Sequence, residues 1–216
     1  AQGCCGAIDF HGGDPQRALE RARINLEAFQ ALAVDHVVVN AAGCGAMLKE
    51  YDHLAKYDET LKSALNGFAH QVRDVHEVLS LLGPLPDLSP LPIRVVYQDA
   101  CHLRHAQKIE QEPRKLLLQI PQLQLLAIAE PNICCGAAGS YNLTEPEMSD
   151  RLGQRKIEAI LKQNPDVIAS GNVGCSLQLQ SLLRQRGLSI PVLHPVELID
   201  MSQRGLTVEQ YLAEVG

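Results

Sequence analysis

The seven cysteines of this 216-residue chain fall into one pattern written twice. Gly3-Cys4-Cys5-Gly6 is followed, after 38 intervening residues, by Cys44 in Ala41-Ala42-Gly43-Cys44. Cys134-Cys135-Gly136 is followed, after 39, by Cys175 in Asn172-Val173-Gly174-Cys175, and Cys101 precedes that second pair with 32 residues between. Adjacent thiolates can bind different atoms of one polynuclear centre, whereas a disulfide between neighbours strains its ring. Seven is also odd, so any disulfide scheme leaves a thiol unpaired. The fold must gather cysteines from separate loops, and it must do so twice. The pattern points to thiolate-ligated redox chemistry.

At 46% apolar residues the chain can bury a sizeable core, as one domain or two smaller ones. A formal net charge of −6, 4% aromatic residues and no tryptophan exclude nucleic acid as the expected partner. No apolar run approaches the ~18–20 residues of a membrane span, and no signal-peptide pattern is present. Reduced thiols in the cytoplasm are therefore expected. The sequence starts at Ala1 without an initiator methionine, and its first repeat has no counterpart of Cys101. It reads as a fragment of a longer chain, with a processed mature protein as the alternative.

Asp14-Pro15 offers a helix N-cap followed by proline at the first helical position. Leu19, Ala22, Leu26 and Phe29 share a face, so a helix is expected over about 15–32. Val37-Val38-Val39 reads as a short buried strand, with a helix starting near Cys44. Another amphipathic stretch covers about 66–82. Gly83 to Pro92 holds four prolines and reads as a linker. Beyond it come a strand at 93–97, a helix near 113–119 and a strand near 123–128. Thr144 with Glu147 reads as a capping box opening a helix that stops near Asn164-Pro165. A strand at 167–169, a helix from Cys175 to about 186, a strand at 192–194 and two short helices complete the chain. Strands alternating with helices predict an α/β fold: two pseudo-repeated βα units with largely parallel sheets and cysteine loops at the carboxyl ends of strands. Asp74 to Leu79 resembles His194 to Ile199, extending the duplication beyond the cysteines.

Cys44 and Cys175 each follow a strand and a glycine at an expected helix N-terminus, where the dipole and free N–H groups favour a thiolate. Gly43, Gly136, Gly139 and Gly174 allow close backbone approach and N–H···S donation to a bulky centre. Cys101, Cys134, Cys135 and Cys175 supply the four thiolates of a [4Fe–4S] cluster, and equally of a Cys4 zinc site. Spacing favours iron–sulfur, because paired zinc ligands usually stand two to four residues apart.

The duplicated pattern resembles the CCG cysteine-rich domain, which occurs twice in the cysteine-rich subunit of heterodisulfide reductase and in related iron–sulfur subunits of flavin dehydrogenases. Cys101, Cys134, Cys135 and Cys175 match the first, second, third and last cysteines of its Cys…Cys-Cys-Gly…Cys-x-x-Cys pattern. The stretches Asn40 to Tyr51 (NAAGCGAMLKEY), Tyr97 to Gln107 (YQDACHLRHAQ) and Cys134 to Leu143 (CCGAAGSYNL) are similar, more closely, to iron–sulfur subunits of bacterial glycolate oxidases. The likeness runs from Gly3 to about Leu198. It implies residues 1–82 as the remainder of a first repeat, 83–92 as a linker and 93–216 as a second repeat. It also implies an amino-terminal ferredoxin-like domain outside this sequence. As function it implies electron transfer from a flavin-containing dehydrogenase subunit, which oxidises glycolate to glyoxylate, towards a quinone or other membrane acceptor. That would be a hetero-oligomer, cytoplasmic or peripheral to the inner face of the membrane. The first cysteine of Cys-x-x-Cys is replaced by Ala41 in one repeat and Asn172 in the other, which puts five-cysteine noncubane clusters in doubt. Cys4, Cys5 and Cys44 are candidate ligands of a second cluster in the longer protein.

Asn172 is expected beside the cofactor, its amide either donating to a cluster sulfur or capping the loop. His102, next to Cys101, is a further cofactor-side candidate, with a structural histidine as the alternative. Arg104, His105 and His194 are expected near the site, where cations would raise a cluster's potential. The charged faces of the 15–32 and 145–163 helices read as solvated, or as docking faces for partner subunits. A zinc-stapled scaffolding module is the competing reading of the whole chain.

Overall fold

Parallel strands need helical crossovers to return the chain, and the alternation read from the sequence supplies them. The structure is a computed structural model in which residues 1–32 and 34–215 are described. The chain divides into two units, Ala1–Val78 and Leu79–Gly216.

In the first unit, α1 (Ala7–His11) and α2 (Pro15–Gln30) precede strand β1 (Val37–Val39) and α3 (Ala42–Lys49). Two 3-10 turns, Tyr51–Tyr57 and Glu59–Leu61, lead to α4 (Lys62–Gln71), strand β2 (Val72–Asp74) and α5 (Val75–Leu82), which runs across the boundary. Asp14 caps α2 as expected, accepting from Arg17 N at 3.0 Å. Leu19, Ala22 and Leu26 of α2 pack with Tyr51, Leu65 and Phe68. Two sequence expectations change here. Val37–Val39 is not buried throughout, because among the described residues only β2 flanks it and Val38 faces outward, half exposed. The stretch 66–82 is not one helix: Val72-Arg73-Asp74 breaks it to pair in parallel with Val37-Val38-Val39. β-branched Val72 fits that ladder with its side chain fully buried.

In the second unit, β3 (Arg94–Gln98), α6 (Glu112–Leu117), β4 (Gln124–Leu126), α7 (Tyr141–Thr144), α8 (Pro146–Leu161), β5 (Val167–Ser170), α9 (Val173–Gln185), β6 (Val192–Leu193), α10 (Pro195–Arg204) and α11 (Val208–Val215) follow in order. The sheet runs β4-β3-β5-β6, all pairs parallel. Both its faces are covered. Val95, Tyr97, Val167, Ala169 and Leu193 pack with residues of α6 and α10, while Val96, Ile168 and Val192 pack with Ile157, Ile160, Leu179 and Leu182 of α8 and α9. Alternate residues of each strand thus enter opposite cores, which is why the strands read as unbroken apolar runs. Thr144 does not open α8. It ends α7, its hydroxyl reaching Tyr141 O at 3.4 Å, and Pro146 takes the first position of α8. The proline-rich segment lies within the second unit and is tied to the rest of it through Ser89 N to Ser202 O and Leu91 N to Pro121 O, both 2.9 Å.

The duplication is structural. Asp74, the last residue of β2, and His194, which follows β6, each cap the next helix, accepting from His76 N at 2.9 Å and Val196 N at 3.1 Å. In both, the glutamate three residues on accepts the cap residue's own N–H, Glu77 at 2.8 Å and Glu197 at 2.6 Å. Gly6 and Gly136, which close the two cysteine pairs, both have left-handed backbones, φ 82° and 91°. Each packs on the fourth residue of a helix begun by proline. A Cβ on Gly6 would lie 3.2 Å from Ala18 Cα; on Gly136 it would lie 2.3 Å from Ser149 O. Alanine at either position carries about 1–2 kcal/mol of left-handed strain, and at Gly136 overpacking adds about 1–3 kcal/mol. Gly136→Ala is therefore expected to destabilise its protein more than Gly6→Ala in denaturant titrations. Equal losses would show that the Ser149 contact yields freely.

Candidate metal centre

Each cysteine of the second unit is delivered by a braced element. Strand β3 ends at Gln98 and is followed by Asp99, both buried. Ser170 of β5 donates to Gln98 Oε1 at 2.8 Å, tying the ends of the two central strands together. Arg114 of α6 forks onto Asp99 at 2.8 and 2.6 Å, and its guanidinium lies 4.9 Å from the Tyr97 ring centroid. Cys101 follows at the N-cap of a single π-helical turn, His102–Ala106. Cys175 is the third residue of α9, as Cys44 is of α3. Cys134 and Cys135 lie in the loop after β4. From β3 the chain steps outward to β4 and then crosses to β5 on the other side of β3. The carboxyl ends of β3 and β5 therefore flank a topological switch point, the place where open parallel sheets bind ligands.

There the four thiols form a run of hydrogen bonds, Cys101 to Cys134, Cys134 to Cys135 and Cys135 to Cys175. Donation from Cys101 and Cys135, helped by Gly136 N–H at 3.3 Å, holds the Cys134 thiol far below the ordinary range. The Cys175 thiol is lowered by Cys135 against the cost of burial, with Asn172 Nδ2 donating to its sulfur at 3.5 Å. Cys101 and Cys135 are pushed up, first by those same hydrogen bonds and then by burial. In the first unit Cys5 and Cys44 make a similar pair: hydrogen bonding between them raises Cys5 and lowers Cys44 to about 7. Gly6 N–H donates to Cys4 Sγ at 3.5 Å, the counterpart of Gly136 and Cys134. Among the described residues, no three His, Cys, Asp or Glu side chains converge as they would around a single metal ion.

Helix α8 braces the Cys134 loop through one stripe of residues. Ser149 Oγ donates to Gly136 O at 2.9 Å. A Cβ on Gly153 would lie 3.2 Å from Cys135 O and 2.7 Å from Leu182 Cδ1, so the helix approaches both the loop and α9 closely. One turn further, Lys156 is 1% exposed and donates to Pro131 O at 2.9 Å. Burial lowers the pKa of this ammonium, while Asp99 and the thiols of Cys101, Cys135 and Cys175 act to raise it. The sequence reading placed the charges of this helix in solvent and missed Lys156. Its signal was register, since it stands three residues after Gly153 on the side of Ile157 and Ile160 that enters the core.

The other cations expected at the site are engaged differently. Arg104 pairs with Glu110 at 2.9 Å and with Asn132, His105 is exposed, and His194 caps α10. His102 is half-buried at the start of the turn after Cys101. Of the glycines expected beside the second-repeat cysteines (Gly136, Gly139 and Gly174), Gly136 is the one that crowding requires. A Cβ on Gly174 would meet just Asn172 Nδ2 at 3.5 Å, and one on Gly139 would stand in open space. Asn172 occupies the N-cap of α9 without a side-chain capping bond, its amide turned to Cys175 instead.

Comparison with known proteins follows the same outline. The chain is 39% identical over 202 residues to the probable glycolate oxidase iron-sulfur subunit of Bacillus subtilis, covering 93% of this chain and 45% of that protein. It is 32% identical over 211 residues to the glycolate oxidase iron-sulfur subunit of Escherichia coli, covering 93% and 48%. To a subunit of the fumarate reductase (CoM/CoB) of Methanothermobacter marburgensis it is 32% identical over 205 residues, covering 93% and 39%. The chain thus spans less than half the length of these relatives. The CCG cysteine-rich domain matches residues 1–49 and 95–180, which hold both paired-cysteine loops, Cys101 and both helix-start cysteines. With more than half of its residues so matched, and with those cysteines gathered at strand and helix ends in each unit, the chain belongs to the CCG cysteine-rich domain family.

Proposed function

We propose that the chain is the electron-transfer part of an iron–sulfur subunit of a glycolate oxidase-type oxidoreductase. In this reading Cys101, Cys134, Cys135 and Cys175 hold a [4Fe–4S] cluster in the second repeat. The observation that carries it is the delivery of four cysteines from three loops to the switch point of one parallel sheet. Four thiolates match the cluster's ligand number, and N–H donors to the sulfurs, here Gly136 and Asn172, are groups that tune such centres. When bound, the cluster supplies one-electron storage and transfer. The chain's own residues hold the ligands in place through Gln98, Arg114 and Ser149, and they bury Cys135 and Cys175 away from water.

The first repeat, with Cys4, Cys5 and Cys44, offers a second, three-thiol site for a further cluster. Electrons enter from a flavin-containing dehydrogenase subunit acting on glycolate and leave towards a quinone or other membrane acceptor, at the cytoplasmic face. The names of the relatives support glycolate. No described helix is long and apolar enough to cross a membrane. Val173 and Leu177, four residues apart on α9 around Cys175, are 61% and 58% exposed, which suits contact with a partner close to the cluster.

Protein purified without oxygen is expected to be brown, to contain iron and sulfide, and to bleach in the visible on reduction. Colourless protein with one zinc per chain would instead establish the scaffolding module. Cys134→Ser and Cys135→Ser are each expected to lose most of the second repeat's iron, and full iron in both would remove the pair from the ligand set. Asn172→Cys restores a fifth thiolate, and Mössbauer and EPR spectra are expected to show a cubane centre in the parent and a change in the variant. A noncubane signature in the parent would rule out four-cysteine ligation.

A further inference from the structure

The two repeats use one helix in the same way, with one difference in charge. In each unit a proline opens a helix, α2 at Pro15 and α8 at Pro146, and the fourth residue packs on the glycine of the cysteine pair. Seven residues beyond that contact stand Asn25 and Lys156. Both are buried, at 2% and 1% exposure, and both hydrogen-bond a backbone carbonyl of the cysteine loop. Asn25 Nδ2 donates to Cys4 O at 3.0 Å, and its Oδ1 accepts from Gly3 N at 2.8 Å. Lys156 Nζ donates to Pro131 O at 2.9 Å.

A neutral amide meets the need to brace the loop at little cost in solvation. A buried ammonium costs far more unless negative charge lies beside it. The geometry places this charge at the cysteine loop: Lys156 Nζ is hydrogen-bonded to Pro131 O, three residues before Cys134, and stands one turn beyond Gly153, where a Cβ would lie 3.2 Å from Cys135 O. Asp99 is already forked by Arg114. The negative charge left for Lys156 to balance is therefore that of the cysteine loop it braces.

We propose that Lys156 is a positioning residue of the second repeat, a fixed internal counter-cation that stabilises the reduced form of the cluster held by Cys101, Cys134, Cys135 and Cys175 and so raises its potential. This rests on the cluster reading above. Reduction adds one electron to an already anionic group, and a cation held at constant distance favours that state over the oxidised one.

The test is an anaerobic redox titration with dithionite, followed by EPR, on the parent, Lys156→Met and Lys156→Arg, with iron measured in each. Methionine keeps length and apolar volume without charge; arginine keeps the charge. The expected result is equal iron in all three and an arginine potential close to the parent's. In the methionine variant the reduced-to-oxidised ratio at the parent's midpoint should fall at least tenfold, a shift of about 59 mV or more to negative values. Loss of iron in Lys156→Met with retention in Lys156→Arg also supports the counter-charge. Unshifted potential in Lys156→Met, or equal shifts or equal iron loss in both variants, overturns it and leaves Lys156 a loop brace. A parent without a cluster overturns the cluster reading itself, and the iron assay separates that result from the others.

Discussion

Four thiols brought together at one end of a parallel sheet are the arrangement on which the second unit depends. Thiolates crowded together repel, and burial penalises each charge further, so such a site forms only where the surroundings offset both effects. The structure does this by sharing hydrogen bonds unequally. Cys134 and Cys175 accept and are lowered, while Cys101 and Cys135 donate and are raised. Backbone and side-chain N–H groups, the start of α9 and the ammonium of Lys156 favour the ionised members. A polynuclear cationic core would replace this internal compromise by binding all four sulfurs as thiolates.

Holding the sulfurs there places demands on distant parts of the sequence. The carboxyl end of β3 must not fray, and Gln98 with Ser170 and Asp99 with Arg114 fix it from the neighbouring strand and from α6. The Cys134 loop must lie flat against α8, which admits no side chain at Gly136 and little at Gly153. Small residues at those points are therefore conditions of the site as much as the cysteines are. The first unit meets the same demand with Ala18 and Asn25 on α2 and with Tyr51, whose hydroxyl donates to Cys5 O at 3.0 Å.

Much of this was legible in the sequence because it rests on local chemistry. The Asp14-Pro15 cap, the strand–glycine–cysteine–helix order and the likeness of Asp74 to Leu79 with His194 to Ile199 all involve residues close in the chain. What was missed depends on tertiary partners. Val72 to Asp74 looked helical because its apolar spacing continues that of its neighbours, and only the ladder with β1 makes it a strand. Thr144 carried a cap signal, yet Pro146 two residues later fixes where α8 begins. Lys156 sits between Arg155, which is exposed and paired with Glu130, and Ile157, which is buried. Composition places the lysine with the first, and helical register places it with the second.

The comparison of Asn25 with Lys156 shows what duplication leaves free to vary. The backbone scheme, a glycine of positive φ packed on a proline-started helix, is retained in both units because steric conflict forbids most alternatives. The residue two turns further along the helix meets a looser condition: it must be buried and must donate to a carbonyl. An amide and an ammonium both satisfy that condition, and they differ in the potential they impose on the sulfurs nearby. A repeated fold can therefore hold its cysteines with one geometry while setting each site's electrostatics separately, through a single side chain that touches the loop.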